Sequence, residues 1–308
     1  MNVFIAGGSG VIGQHLVPRL VRAGHRVTAL TRGADGEARL QAMGAHAVRG
    51  DVFERAWLDA CVARAQPDVV LHQLSAFGTT DGDPLQATIR VRTEGTRNLV
   101  AAARKAGARR FIAQSIAFVS APGDGPADES TPLHLDAPMA MRPLVDSIAV
   151  LEGETLAADG IAGTVLRYGW FYGAGTNHHP DGATARSIRK GRAPLVGEGA
   201  GVYSFIGLPD AAAATMAALE RDALGVFHVV DDTPVALRDW LPFVADRLMA
   251  PAPPVLDVAT ARERYGDTLV HFMHEQRGAS NDKAKRELGW APQQPFWRAA
   301  FEALYPQA

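Results

Sequence analysis

The chain has 308 residues, of which 47% are hydrophobic and 21% charged, a composition typical of a globular protein with an ample core. Its 31 basic and 33 acidic side chains give a formal net charge of −2, with both signs mixed along the sequence. This balance argues against a nucleic-acid groove and against a polybasic membrane patch. Cys61 is the only cysteine, and with no signal peptide or apolar span evident we expect a cytoplasmic protein.

A glycine-rich turn follows directly on the first apolar run of the chain. Val3–Ala6 predicts a buried strand, and Gly7, Gly10 and Gly13 precede an apolar periodic segment over Val11–Ala23 that predicts a helix. We assign Gly7 to a tight turn, Gly10 to close approach of the backbone to a pyrophosphate, and Gly13 to packing of the helix on the strand. The free amides at the start of the helix would face the phosphates. Strand, glycine turn and helix together predict dinucleotide binding.

The end of the second predicted strand, Arg26–Leu30, indicates which dinucleotide is preferred. An acidic residue at this point usually holds a ribose 2′-hydroxyl. This chain has Thr31 and Arg32 instead, and an arginine offers a fork of donors to a 2′-phosphate. We therefore expect NADP(H) to be preferred over NAD(H), although Arg32 as a solvated loop charge is the alternative.

Two further strand ends carry candidate cofactor contacts. Asp51 follows the third predicted strand and fits either of two roles, accepting from an adenine amino group or capping a helix over Phe53–Ala65. The apolar run Asp68–Leu74 predicts a fourth strand, after which Ser75 and Ala76 would lie beside the phosphates and ribose.

Several motifs, in this order and at this spacing, make the sequence resemble an extended short-chain dehydrogenase/reductase, the group that includes the sugar-nucleotide epimerases and dehydratases. They are the glycine turn, Gly50-Asp51-Val52, Gly95-Thr96 with Asn98-Leu99, Arg110-Phe111-Ile112, Val165-Leu166-Arg167, Phe171-Tyr172-Gly173, Leu208-Pro209-Asp210 and the stretch Asn281 to Pro292. The resemblance implies an α/β fold, a Rossmann-type doubly wound parallel sheet with a smaller C-terminal substrate-binding portion. We expect residues 1–168, with 205–233 returning, to form the NADP-binding domain, and 169–204 with 234–308 to bind substrate.

The chain departs from the family at its catalytic centre. Such enzymes have a serine after the fifth strand and a Tyr-x-x-x-Lys pair on the next helix, where the tyrosine exchanges a proton with the reacting oxygen. Ser115 occupies the serine position, and Glu152 matches a family glutamate four residues beyond the lysine. Counting back places Ile148 at the lysine position and Leu144 at the tyrosine position. The sequence is thus identified as an atypical member that lacks the pair.

Residues for catalysis and binding follow from the resemblance. Ser115 is expected to donate a hydrogen bond to a carbonyl oxygen, with a local backbone contact as the alternative, and Tyr168 is the unusual residue near the nicotinamide. His178 is a candidate for the substrate side, with a solvated loop pair His178–His179 as the alternative, and no metal site is expected. The expected cofactor-binding residues are Gly7, Gly10, Val11, Ile12, Gly13, Thr31, Arg32, Asp51, Val52, Leu74, Ser75, Ala76, Ser115, Tyr168 and Gly169. The expected substrate-binding residues are Phe77, Ile116, Trp170, Phe171, His178 and Tyr203.

The expected function is NADPH-dependent reduction of a carbonyl on a small or mid-sized organic substrate, since atypical members reduce ketones of aromatic polyketides without the tyrosine. Such a substrate would place the enzyme in secondary metabolism, including antibiotic biosynthesis. The substrate itself would supply the proton. A sugar-nucleotide epimerase or dehydratase is an alternative that Leu144 argues against, and a sensor that binds NADP(H) without turnover is another. We expect a small-molecule substrate, no nucleic acid and no membrane as partners, and leave a homodimer open.

Overall fold

A computed structural model of the chain describes residues 1–76 and 83–306. The strands in these residues are β1 Asn2–Ala6, β2 Arg26–Thr31, β3 His46–Arg49, β4 Val69–His72, β5 Arg110–Ile116, β6 Ala162–Tyr168, β7 Trp170–Tyr172, β8 Leu195–Val196, β9 Val202–Tyr203, β10 Phe205–Gly207, β11 Gly225–Val229, β12 Val235–Ala236 and β13 Val255–Leu256. The α-helices are α1 Gly13–Arg22, α2 Ala34–Ala42, α3 Arg55–Ala65, α4 Pro84–Arg90, α5 Thr96–Lys105, α6 Arg142–Leu156, α7 Ala183–Arg189, α8 Leu208–Glu220, α9 Leu237–Arg247, α10 Val258–Val270 and α11 Trp297–Leu304. π-helical turns occupy Val91–Gly95, His271–Glu275 and Ala284–Leu288.

A seven-stranded sheet organises the first part of the chain, in the order β11–β6–β5–β4–β1–β2–β3. The chain winds from β1 outward to β2 and β3, returns to β4 on the other side of β1, and continues outward to β5 and β6. The pairs β1–β2, β1–β4, β2–β3 and β4–β5 are parallel. This arrangement confirms the predicted Rossmann-type, doubly wound parallel sheet.

The central strands are apolar on both faces because helices cover the sheet from both sides. Phe4, Ile5, Val70 and Leu71 are completely buried. One face packs against side chains of α3 and α5, which include Leu58, Cys61, Val62, Leu99 and Ala103. The single cysteine is thus a core residue, and burial raises the pKa of its thiol.

The chain divides into two compact units. The first contains Met1–Ser115, Asp146–Arg167 and Ala212–Phe227, and the second contains Ile116–Val145, Tyr168–Ala211 and His228–Ala308. The predicted division, with 1–168 as one domain, differs mainly in assigning 116–145 to the first unit, and it stays a prediction. Among the described residues, no helix is both long enough and apolar enough to cross a bilayer.

The second unit has its own core, built on short strand pairs and packed helices. Strand β7 pairs with β10 in parallel, β9 with β12 antiparallel, and β8 with β13 in parallel. An aromatic cluster fills the space between these strands and helices α9 and α11, with Phe205 and Phe301 completely buried and Trp240 nearly so.

The sequence predicts a helix over Leu85–Ala106, and residues 84–105 are helical without a break, as α4, the π-helical turn Val91–Gly95 and α5. The sequence also predicts Asp210 as the N-cap of a helix, but α8 already begins at Leu208, so that prediction is wrong. Its carboxylate instead accepts from the backbone amides of Gln293 and Gln294, each at 3.1 Å. A partner so distant in sequence leaves no local signal.

The second unit contains a buried carboxyl group, that of Asp231, with one hydrogen-bond donor among the described residues. Asp231 is 1% exposed, and its Oδ1 accepts from the amide of Thr233 at 3.2 Å. No described residue donates to its Oδ2. Burial, with smaller contributions from the charges of Asp232 and Asp210, raises the pKa of Asp231 to about 8.

The raised pKa of Asp231 makes stability fall as pH rises. The unfolded carboxyl ionises near pH ~3.9, so between pH ~4 and about 8 only the folded state retains the proton. We predict that Asp231→Asn leaves the melting temperature nearly unchanged at pH 4 and raises it by about 3 °C or more at pH 8.5. Differential scanning calorimetry at both pH values measures this. The exposed Asp282→Asn is the control and should show the same difference from the wild type at both. Equal effects of Asp231→Asn at both pH values would contradict the prediction.

Candidate functional site

The glycine turn after β1 leaves no room for a side chain at two of its positions, Gly7 and Gly13. Gly7 has a φ of 96°, and a Cβ on it would overlap the carbonyl of Gln73, which follows β4. A Cβ on Gly13 would overlap the carbonyl of Gly8. The close approach at Gly13 is therefore to the turn itself, whereas the sequence predicted packing against the strand. The contact at Gly7 holds the turn against the residue that follows β4, and the contact at Gly13 holds the start of α1 against the turn.

The same turn presents free backbone donors at the start of α1. The amide of Gly10 donates to the carbonyl of Gly7, and that of Gln14 to the carbonyl of Gly10, both at 3.0 Å. Within residues 1–76 and 83–306, nothing accepts from the amides of Val11 and Ile12. The first turn of α1 also contains no acidic residue. Unpaired amides at a helix N-terminus suit an anion, so these residues fit a pyrophosphate.

The end of β2 carries an exposed arginine with no partner. Thr31 is buried, and its hydroxyl lies 3.5 Å from that of Ser9 in the glycine turn. Arg32 is exposed, and no described residue pairs with its guanidinium. Arg49, the residue paired with Thr31 on β3, is held 3.0 Å from Glu37. Arg32 thus keeps its charge available for a ligand.

The structure after β3 rules out one of the two roles predicted for Asp51, that of a helix N-cap. Asp51 accepts from the amide of Phe53 at 3.0 Å, a short side-chain turn. The following helix, α3, starts only at Arg55, so Asp51 is not its N-cap. Val52 is buried in the core, and its carbonyl accepts from Asn98. These positions leave Asp51 as the polar candidate for a cofactor contact.

The segment after β4 has one exposed residue among its three candidates. The amide of Leu74 donates to Nδ1 of His72, which is buried and whose pKa is lowered to about 3 by that burial. The amide of Ala76 donates to the hydroxyl of Thr88, and Ala76 is buried. Ser75 between them is exposed. Residue 77, a predicted substrate contact as Phe77, lies outside the described residues.

Ser115 belongs to a buried network in the first unit. Its hydroxyl donates to Oε1 of Glu152 at 2.7 Å. Arg167 grips the same carboxylate through two hydrogen bonds, Nε to Oε1 at 2.8 Å and Nη2 to Oε2 at 2.7 Å. All three side chains are buried. The hydroxyl proton is therefore directed at a carboxylate in α6, a partner that neither of the two predicted roles of Ser115 includes.

The positions of the missing acid pair are filled by apolar side chains. Leu144 and Ile148 both lie on α6 and are 6% and 0% exposed. An aliphatic side chain neither donates a proton nor hydrogen-bonds a ribose. The structure therefore places no proton donor at either position.

Tyr168 and Gly169, at the end of β6, are committed to the core of the second unit. Tyr168 is completely buried, its carbonyl accepts from the amide of Ala117 at 2.9 Å, and its ring contacts that of Phe171. The amide of Gly169 donates to the carbonyl of Val229 at 3.1 Å. The ring of Tyr168 is therefore shielded from solvent, and its catalytic role stays a prediction.

A cavity of about 150 Å³ lies within the second unit. Its aromatic wall consists of Trp170, His178, Tyr203, Trp240 and Phe272. The ring centroids of Trp170 lie 5.4 Å from Tyr203 and 5.3 Å from Phe272, and Tyr203 lies 5.1 Å from Trp240. None of the described residues that line it carries a formal charge.

The cavity brings together some of the residues expected to bind substrate. Trp170, His178 and Tyr203 line it, whereas Ile116 and Phe171 do not. Sequence reasoning missed Trp240, which sits on the buried face of α9. The signal was present, since Leu237, Trp240, Leu241 and Val244 follow a helical period, but that period does not separate a cavity wall from a core.

His178 is buried and neutral, so the solvated loop pair is wrong for this residue. It is 5% exposed, its Nδ1 donates to the carbonyl of Phe171 at 3.1 Å, and its own carbonyl accepts from the hydroxyl of Tyr305. Burial lowers the pKa of His178 to about 4. At neutral pH the imidazole carries its proton on Nδ1, which leaves Nε2 as an acceptor.

The parallel sheet, the glycine turn and the amides of Val11 and Ile12 define a dinucleotide-binding Rossmann enzyme. The model of the NAD dependent epimerase/dehydratase family matches residues 3–230, and the chain belongs to this family. It is an NAD(P)H-dependent oxidoreductase of the extended short-chain type.

Relatives with recorded activities support this class. The chain is 44% identical over 303 residues to a 3-diazoavenalumate denitrifying reductase from a Streptomyces species, covering 97% of this chain and 98% of that one. It is 30% identical to a 4-hydroxy-2-methyl-3-oxo-4-farnesyl-3,4-dihydroquinoline-1-oxide ketoreductase from Stigmatella aurantiaca, covering 94% and 92%. The fold matches UDP-glucose 4-epimerase from Thermus thermophilus in complex with NAD, with a TM-score of 0.73, 24% identity and full coverage of both chains.

The buried network predicts a large asymmetry between its members. Arg167→Met leaves the Glu152 carboxylate buried without its cation, so we expect the free energy of unfolding to fall by about 3–5 kcal/mol. Ser115→Ala removes one hydrogen bond from the same carboxylate and should cost about 1 kcal/mol. Urea unfolding followed by circular dichroism measures both.

A matched control for this network lies on the same helix. Glu154 of α6 pairs with Arg97 at the surface, and Glu154→Gln should change the free energy of unfolding by less than about 1 kcal/mol. If Arg167→Met were no more costly than Glu154→Gln, the network would not have the importance that its geometry gives it.

Proposed function

We propose that this chain transfers hydride from NADPH to a carbonyl carbon of a small organic substrate, without a proton donor at the family's tyrosine position. The observation that carries the proposal is the pairing of a complete phosphate-binding turn with buried Leu144 and Ile148. Reductases and ketoreductases among the relatives support the same direction of chemistry. Atypical members of this kind act in secondary metabolism, and we extend that role to this chain.

The cofactor is assigned to residues of the first unit by their free donors and exposure. When bound, the reduced nicotinamide supplies a hydride. The amides of Val11 and Ile12 would hold the pyrophosphate, Asp51 the adenine, and Arg32 a 2′-phosphate. Ser75 is exposed at the next strand end and suits a ribose or phosphate contact.

Carbonyl reduction needs a proton as well as a hydride, because hydride addition leaves an alkoxide. Leu144 and Ile148 cannot supply it, and the neutral imidazole of His178 is a poor acid at pH 7. Ser115 would have to turn away from Glu152 before it donated a hydrogen bond to the oxygen. We therefore propose that the proton comes from the substrate, for example from a phenol that is hydrogen-bonded to the ketone.

The two other functions considered for the chain receive less support. A sugar-nucleotide epimerase or dehydratase needs a base at the substrate oxygen, and Leu144 offers none. A sensor without turnover would also lack the pair, but the 44% identical relative is named as a reductase.

Arg32 provides a test of cofactor preference. If it holds the 2′-phosphate, Arg32→Ala should weaken NADPH binding about 10-fold or more and leave NADH binding nearly unchanged, since a charge-assisted pair is lost only with NADPH. Isothermal titration calorimetry measures both affinities. Arg26→Ala is the matched control, because Arg26 lies at the opposite end of β2, and it should affect neither. Equal weakening of NADPH and NADH by Arg32→Ala would overturn the assignment.

An aryl diazonium group is a second candidate for the hydride acceptor, because its reduction also needs no acid at the family's tyrosine position. Hydride attack on the carbon that bears the diazonium nitrogen forms a C–H bond, the C–N bond electrons leave with dinitrogen, and the cofactor is oxidised by two electrons. This balance requires no proton from the protein, which fits Leu144 and Ile148. The 44% identical relative is named as a denitrifying reductase of a diazo compound.

The two acceptors are separated by product analysis. With NADPH and equimolar aromatic ketone or aryl diazonium salt offered in separate reactions, carbonyl reduction gives an alcohol, and diazonium reduction gives dinitrogen and an arene with one new C–H bond. For a ketone that carries its own phenol, we expect turnover to exceed that of the diazonium salt by about 100-fold, and the reverse ratio would favour diazonium reduction over carbonyl reduction. Mass spectrometry and headspace gas analysis measure the products. NADPH binding with no turnover of either acceptor would favour the sensor.

A further inference from the structure

The cavity of the second unit has the size of one aromatic ring. An apolar cavity of about 150 Å³ holds a benzene molecule, and this cavity has about 150 Å³. Ligands of drug size occupy pockets of roughly 300–1,000 Å³. The uncharged lining offers no cation for the diphosphate of a nucleoside diphosphate sugar.

Two indole nitrogens in the lining, Nε1 of Trp170 and Nε1 of Trp240, are buried without a partner among the described residues. Within the same residues, nothing bonds to Nε2 of His178 or to the hydroxyl of Tyr203, whose residues are 5% and 6% exposed. A buried indole N–H is costly to leave unpaired, so a ligand that accepts from it is favoured.

The unpaired atoms include both an acceptor and donors. Since Nδ1 of His178 donates to the carbonyl of Phe171, Nε2 is an acceptor. The phenol of Tyr203 and the indole N–H of Trp240 are donors. A ligand hydroxyl can donate to the first and accept from one of the others at once, which a ketone or a plain hydrocarbon cannot do.

We propose that this cavity binds a single phenolic ring, with the ring enclosed by Trp170, Tyr203, Trp240 and Phe272 and the hydroxyl donating to His178. The further step, that this phenolic ring belongs to the substrate, rests on the proposed reductase function. The binding itself is independent of the cofactor and of turnover.

Binding of phenol to the cofactor-free, full-length chain tests the inference. Saturation-transfer NMR should show phenol binding in the millimolar range or tighter, toluene binding about 5-fold or more weakly, and UDP-glucose failing to displace phenol. Tyr203→Phe should weaken phenol binding about 5-fold without affecting toluene. His178→Asn, whose amide can still donate to the Phe171 carbonyl, should do the same. Ala193→Leu, which adds volume at the cavity wall, should abolish binding of both.

Three results would overturn the inference: equal affinity for phenol and toluene, phenol binding that survives Ala193→Leu, or displacement of phenol by UDP-glucose. Melting temperatures show which variants are folded, and Tyr203→Phe changes only one hydroxyl. A separate NADPH titration distinguishes the two claims, because absent NADPH binding would refute the proposed function while leaving the phenol result standing.

Discussion

The structure depends on a backbone contact that admits no side chain. Gly7 lies so close to the carbonyl of Gln73, and Gly13 to that of Gly8, that any Cβ would overlap a backbone atom. These contacts bring the start of α1 to the carboxyl ends of β1 and β4, where helix amides and strand ends converge. The exposed Arg32 and Ser75 follow β2 and β4, the two strands that pair with β1, so the turn at the end of β1 lies between the ends of these strands.

The fold does not require the tyrosine and lysine of the family, because other side chains attach helix α6 to the sheet. Glu152 remains on α6 and is held by Arg167 of β6 and Ser115 of β5, so the buried network ties the helix to two strands of the sheet. Leu144 and Ile148 pack as apolar residues on the same helix. The scaffold thus keeps its geometry with apolar side chains at both positions of the acid pair. We propose that the reactions it supports are those in which the substrate provides the proton or none is needed.

Sequence patterns predicted the elements whose structure is set by residues close together in the chain. The apolar run before Gly7, the helix after it and the strands at β4 and β5 follow from periodicity and from the glycine spacing. The resemblance to the family led us to expect Trp170, His178 and Tyr203 near substrate, and the structure brings these three to one cavity. It failed where the decisive partner lies far along the chain. His178, in a glycine-rich loop, is buried with its carbonyl bonded to Tyr305, and Asp210 finds its partners at Gln293 and Gln294.

The central claim is that hydride leaves the cofactor without help from an acid of the protein. Its most direct test is the rate of NADPH oxidation in a single turnover, followed at the nicotinamide absorbance between pH 6 and pH 9 with a phenolic acceptor. A phenol ionises near pH ~10, so the account predicts a rate that stays constant over this range. A rate that falls as one group of the protein loses its proton between pH 6 and pH 9, and that loses this dependence in a single side-chain variant, would contradict it.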